Sequence, residues 1–247
     1  GKPALAALIV PVRTKQQWRD FHHLPSRIYA GDPNWVPPLL LERALHFTPK
    51  HNPFFQHATA EFFLAYIGDE PVGRITAQID RLHLERYQKA CGHFGFIEAI
   101  DDAQVFAALV AAAEDWLRGR GMRRARGPFS LNINQEVGLL VEGFETRPYF
   151  MMGHARPYYG AHVERQGYAK AVDVFAYLIS SHFQPPPVMA ALSARLRRRV
   201  NIRALDTRRK DADLDTVCDI FNDAWQENWG FVPFTHEEFR AIGHEML

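Results

Sequence analysis

The chain has 247 residues, 47% of them hydrophobic, enough for one large domain or two small ones whose core needs no disulfide or metal staple. With 29 Lys+Arg against 28 Asp+Glu the formal charge is +1, so bulk charge favours neither a nucleic-acid binder nor an acidic-surface protein. Cys91 and Cys218 are the only cysteines and form no disulfide or zinc pattern, which makes a reducing, cytoplasmic compartment the expectation.

Leu5–Val12 is apolar but short, and a polar helical pattern follows it rather than a small-residue cleavage site, so it reads as a strand. Thr14 is placed to cap a helix in which Trp18, Phe21 and Ile28 recur at near-helical spacing. "AGDPNWVPPLL" (30–40) is a proline-rich loop carrying Trp35. Glu61–Ile67 and Val72–Ile79 flank the turn Gly68-Asp69-Glu70-Pro71 and predict a β-hairpin. Its second strand alternates Ile75, Ala77 and Ile79 with Arg74, Thr76 and Gln78, and Gly73 is a bulge candidate.

"HFGFIEAI" (93–100) is a further strand. Asp101-Asp102 then start a helix with the apolar stripe Val105, Phe106, Leu109, Val110, Ala113, Trp116 and Leu117, stopped by Gly121. Arg123–Pro128 reads as a strand, Tyr158–Gln166 as a short helix and Ala171–Ser180 as another strand. In "GPFSLNINQEVGLLVEGF" (127–144), Ser130, Asn132 and Asn134 can form a turn and cap a helix starting near Gln135. "HFQPPPV" (182–188) marks a boundary, and a basic helix follows with Leu192, Leu196 and Val200 on one face. Asn201–Asp206 reads as a strand and Leu214–Glu227 as a helix, repeating the strand–helix order of residues 5–29. The chain begins Gly1-Lys2-Pro3 without methionine and stops at Glu245-Met246-Leu247 within a helical pattern, so a fragment is expected.

The order over residues 5–180 is similar to the GNAT fold of acyl-CoA-dependent N-acyltransferases. "AYIGDEPVGRITAQID" resembles that family's β2–β3 pair, and "YYGAHVERQGYAKAVDVFAYLI" its closing helix and strand. More narrowly, "DPNWVPPL", "GHFGFIEAIDD", "NQEVGLLVEGF" and "RPYYGAHVERQGYAKAVD" resemble a bacterial group of GNAT-like acyltransferases that includes the bacterial ceramide synthases and whose members carry a second GNAT-like half. The resemblance implies an α/β fold with a mixed, mostly antiparallel sheet flanked by helices. It divides the chain into a lobe at 1–182, a linker with the basic helix at 183–200 and the truncated start of a second lobe at 201–247. It further implies transfer of an acyl group from acyl-CoA, a co-substrate rather than a bound cofactor, to an amine. The favoured acceptor is a long-chain lipid amine such as a sphingoid base. The alternatives are a small amine or amino acid, or a degenerate lobe serving as a binding or dimerisation module.

One departure stands out. The family's glycine-bearing loop after β4 holds the CoA pyrophosphate on helix N–H groups. Here that place reads "AIDDAQVFAAL", with no glycine and two carboxylates that would repel a pyrophosphate by roughly 4 kcal/mol per pair at contact.

N-acylation needs a neutral amine, a group to take its proton, and donors for the carbonyl oxygen. Glu136 is a carboxylate candidate to take the proton, with Asn134 beside it in the site; Asn132, Asn134 and Gln135, with Ser130, can orient an amine, hydroxyl or carbonyl. The resemblance places Tyr158 or Tyr159 as the acid for the leaving thiolate and Glu98 as a second base candidate. Core packing of the tyrosines and a solvent-facing Glu98 are the plainer alternatives. Trp35 can line a lid or acyl-chain pocket, or pack against the body. Arg195, Arg197, Arg198, Arg199 and Arg203 make a basic patch that is a solvated face, an anionic-lipid contact or a CoA-phosphate contact. Nucleic acid is the weakest partner, and no metal is expected because the 12 histidines show no ligand spacing.

Overall fold

The computed structural model describes residues 6–246. Leu5 at the head of the first expected strand, the Gly1-Lys2-Pro3 start and Leu247 lie outside the described residues. The elements run β1 (Leu8–Pro11), α1 (Lys15–Ile28), α2 (Leu40–His46), β2 (Ala58–Ile67), β3 (Glu70–Asp80), α3 (Arg81–Tyr87), β4 (Cys91–Ala99), α4 (Ala103–Arg118), β5 (Arg124–Arg126), α5 (Tyr159–Arg165), α6 (Pro187–Leu196), α7 (Lys210–Trp225) and α8 (His236–Met246). The strands form one sheet in chain order. The β1–β4 pairs are antiparallel and β4–β5 is parallel, which is the mixed, mostly antiparallel α/β arrangement expected.

Local signals set the boundaries. Thr14 and Gln17 form a reciprocal capping box at the start of α1. Asp102 caps α4, accepting from the Gln104 and Val105 N–H groups. The α4 stripe buries Val105, Phe106, Leu109, Val110, Ala113 and Leu117 against β3 and α5 side chains. Each large side chain there contributes about 1.5–3 kcal/mol. A second cluster, Phe21, Phe47, Phe54, Phe62, Phe96 and Leu131, fills the other face of the sheet.

Two bulges shape the sheet. Opposite Ala65/Tyr66, β3 carries an extra residue, Val72, beside Gly73. Opposite Arg74/Thr76, β4 carries one too, and Phe96 there adopts a φ of +47°.

Four expectations need correction. No helix starts near Gln135: Phe129 pairs with Val137 and Gly138 has a φ of +88°, so residues 128–138 double back as a hairpin-like loop. That loop also closes over β3, where α1 and the 129–131 backbone cover Arg74, Thr76 and Gln78. Residues 171–180 and 201–206 are not strands. Both are exposed, and no described residue offers them a backbone to pair with. α6 stops at Leu196, before Val200. The sequence reading gave no helix at α2 or α3, and of α8 only the helical pattern at its end. α7 and α8 pack on the main body: Glu238 bonds to His57, Tyr87 to the Phe231 carbonyl and Trp229 rests on Phe129.

Candidate active site

The chemistry-bearing residues converge at the end of β4. Tyr159, at the start of α5, donates to Glu98 Oε2 at 2.6 Å and accepts from the Ala99 N–H at 3.1 Å. Tyr158 donates to the Ala99 carbonyl at 2.7 Å. Tyr29 closes the group from the end of α1: its hydroxyl faces Glu98 and donates to the His154 carbonyl. Trp35 stacks on Tyr29 with ring centres 5.5 Å apart, so it packs against the body and orients Tyr29.

Arg74 stands directly opposite Glu98 in the β3–β4 register and is almost wholly buried. Its Nε donates to the Phe96 carbonyl at 3.1 Å and its Nη1 to the Phe21 carbonyl at 2.7 Å. The second acceptor has a local cause. Pro25 sits inside α1 four residues after Phe21 and has no N–H to give, so the Phe21 carbonyl is left open for Arg74. The guanidinium also lies 4.8 Å from the Phe21 ring centre and 5.8 Å from that of Phe96.

Burial pushes the Glu98 carboxyl above its ordinary range, against the pull of Arg74 and the hydrogen bonds of Tyr159 and Tyr29; the Glu136 charge adds to the rise. Burial likewise holds Tyr158 up to about 12, and Tyr159 rises further beside Glu98. A carboxylate so placed is more basic than an exposed one, which suits a proton acceptor. A cleft of about 540 Å³ adjoins the cluster at Tyr158 and is lined also by Leu24, Arg27, Ile28, Ile100 and Arg156, while Glu98 itself is not part of its lining. That volume is ample for a small-molecule group.

The 130–136 residues divide. Glu136 pairs with Arg43 of α2 at 3.2 Å, and Arg43 lies over the Phe96 ring, so Glu136 borders the Glu98 neighbourhood. Asn132 accepts from the Asn134 N–H, an Asx turn, and the Asn134 side chain donates to the Val232 carbonyl at 2.9 Å, binding the α7–α8 connection. Ser130 bonds through its backbone N–H to the Glu136 carbonyl. Gln135 borders a separate cavity of about 80 Å³ with His46 and Glu238. Arg203 leaves the basic patch for a two-pronged pair with Asp213, while Arg195, Arg197, Arg198 and Arg199 remain exposed. Sequence reasoning missed Arg74, Arg43 and Tyr29. An arginine inside a strand with Thr76 and Gln78 in step was the available signal for the first.

No protein-family model matches the chain. It is 48% identical over 240 residues to the bacterial ceramide synthase of Caulobacter vibrioides (strain NA1000 / CB15N), covering 96% of this chain and 62% of that protein. It is 47% identical over 233 residues to Protein YghO of Escherichia coli (strain K12), covering 94% of this chain and 60% of that one. The chain is similar to both proteins over nearly its whole length. It spans about three fifths of their length. Among solved structures, an aminoglycoside acetyltransferase from an uncultured soil metagenomic sample, in complex with trehalose, aligns at 10% identity. The TM-score is 0.42, over 72% of this chain and 99% of that one, a distance at which it speaks for neither substrate nor mechanism. The β4–α4 departure noted in the sequence has a structural counterpart: the N–H groups of Gln104 and Val105 at the start of α4 already bond to Asp102. No group of three or more His, Cys, Asp or Glu among the described residues is arranged to hold a metal ion, and no described helix is long and apolar enough to cross a membrane.

Proposed function

We propose that the chain is the acceptor-activating part of an N-acyltransferase that moves an acyl group from acyl-CoA to an amine, a long-chain lipid amine such as a sphingoid base. The observation that carries this reading is Glu98, a half-buried carboxylate held by Tyr159 at the end of β4, with the adjoining Tyr158 lining a cleft large enough for a reacting group. The name of the Caulobacter relative supports the lipid acceptor.

The neutral amine attacks the thioester carbonyl, forming the C–N bond as the C–S bond breaks. Glu98 takes the proton the nitrogen loses, and the CoA thiolate leaves and is protonated from solvent. Tyr159 fixes Glu98, and Tyr158 fixes the Ala99 carbonyl. With its phenol at about 12, Tyr158 is a poor acid for a thiolate, so both tyrosines serve position first. Glu136 acts through its charge on Glu98, while Asn132, Asn134 and Ser130 shape the loop that carries it and Gln135 flanks it. Trp35 holds Tyr29.

A second reading has one observation behind it. Because Asp102 fills the α4 N-terminus, CoA phosphates are gripped elsewhere, by cleft side chains or by the part of the protein that the relatives possess beyond this span. In that case this lobe holds only the acceptor. The exposed Arg195, Arg197, Arg198 and Arg199 would let a cytoplasmic enzyme touch an anionic membrane where its substrate resides.

The test is incubation with long-chain acyl-CoA and a panel of lipid amines, small amines and amino acids, read by mass spectrometry. An N-acyl lipid amine that Glu98→Gln reduces at least 100-fold is the expected result. No N-acyl product from any amine overturns the enzyme reading, and product from amino acids alone overturns the lipid acceptor.

A further inference from the structure

Arg74 carries a charge into the interior, and no carboxylate lies within ion-pair distance of it among the described residues. A buried cation costs several kcal/mol unless it is compensated. Its hydrogen bonds go to the Phe21 and Phe96 carbonyls and it lies over two aromatic faces; none of these contacts involves Glu98, whose charge adds to the compensation from across the strand. The guanidinium is therefore fixed whatever the state of the carboxylate across the strand. An anchored point charge of this kind acts on a neighbour without moving with it.

We infer that Arg74 is the positioning residue for Glu98, a cation built into β3 directly opposite that carboxylate, which favours its ionised form as the amine approaches. This rests on the assignment of Glu98 as proton acceptor. The groups facing Glu98 are Arg74 from β3, Tyr29 from the end of α1, Tyr159 and Tyr158 from α5, and Glu136 from the 128–138 loop, with Arg43 of α2 paired to Glu136. Only Arg74 brings a positive charge that no carboxylate already engages. Tyr159 donates a hydrogen bond to Glu98, Tyr158 and Tyr29 donate theirs to the Ala99 and His154 carbonyls, and Glu136 opposes ionisation.

The measurement is a carboxyl NMR titration of Glu98 in the whole chain, assigned with Glu98→Gln. Arg74→Met is expected to raise the Glu98 midpoint by roughly one pH unit or more, and Arg74→Lys to leave it near the wild-type value. In wild type, the Arg74 guanidinium signals should shift with the Glu98 midpoint and be flat in Glu98→Gln; this needs no substitution at Arg74 and stands even if Arg74→Met does not fold. In the acylation assay, the acid limb of the pH–rate profile should move with the NMR midpoint. An unmoved midpoint in folded Arg74→Met, or Arg74 signals blind to Glu98 ionisation, overturns the inference. Absence of any acylation would instead remove the proposed function, while the two titrations would still decide the role of Arg74.

Discussion

His57 offers the sharpest stability test. It is buried between two carboxylates, with Nδ1 2.7 Å from Asp80 and Nε2 2.7 Å from Glu238, and so couples the β3 end to α8. Burial alone would lower its pKa, but hydrogen bonds and charge from Asp80 and Glu238 outweigh it and raise the value from 6.5 to about 9. Because the folded value exceeds the unfolded one, the stabilisation is fully present below about pH 6.5 and is lost as pH rises through about 9. At full strength that rise is worth about 3 kcal/mol, and about 2 after a discount for screening. Urea unfolding followed by tryptophan fluorescence from pH 6 to 10 should show this loss in wild type. His57→Gln combined with Glu238→Gln avoids leaving both carboxylates without a cation, and should flatten the curve in that window. Buried cysteines also titrate at alkaline pH, so the difference between the two proteins is the quantity to compare. Parallel curves would refute the assignment of a charged His57.

Gly95→Ala should cost about 2–4 kcal/mol in thermal unfolding, because its Cβ would lie 1.8 Å from the Phe129 carbonyl oxygen, a backbone atom that cannot rotate away. Asn134→Ala should cost about 1 kcal/mol and speed proteolysis between α7 and α8, since the Val232 carbonyl loses its donor; an unchanged cleavage rate would contradict that tether. Glu136→Gln removes a negative charge that raises Glu98, so the Glu98 midpoint and the acid limb of activity should both fall. A midpoint that stays in place would separate Glu136 from the site.

What the sequence made legible was periodic or punctuated. The Val105–Leu117 stripe, the Thr14 cap, the hairpin and the short helix ending near Gln166 are all local patterns, and the structure keeps them. What it hid depends on partners far along the chain. Arg74, Thr76 and Gln78 alternate like a solvent face, yet Gln78 is spent on the Phe129 and Leu131 carbonyls, a contact no local pattern encodes. The 171–180 segment has the composition of a strand, but composition does not supply the neighbour a strand needs. At the site, Glu98, Tyr158 and Tyr159 were named from their positions, whereas Tyr29 and Arg43 lie in segments whose sequence shows no chemistry.

Three irregularities of the fold meet at one place. Pro25 breaks the hydrogen-bond ladder of α1, the β4 bulge sets Phe96 in a left-handed conformation, and Arg74 buries a charge; each is unfavourable taken alone, by roughly 1–3 kcal/mol for the first two. They are mutually consistent. The carbonyl freed by Pro25 receives Arg74 Nη1, the Phe96 carbonyl beside the bulge receives Nε, and the same guanidinium faces Glu98 across the strands. Gln88, Leu131 and Met151 also have positive φ, but none of them holds Arg74. The convergence of Pro25, Phe96 and Arg74 on a single carboxylate is what a site maintained at the expense of stability looks like, and it argues for chemistry at Glu98 on grounds separate from any likeness to other proteins.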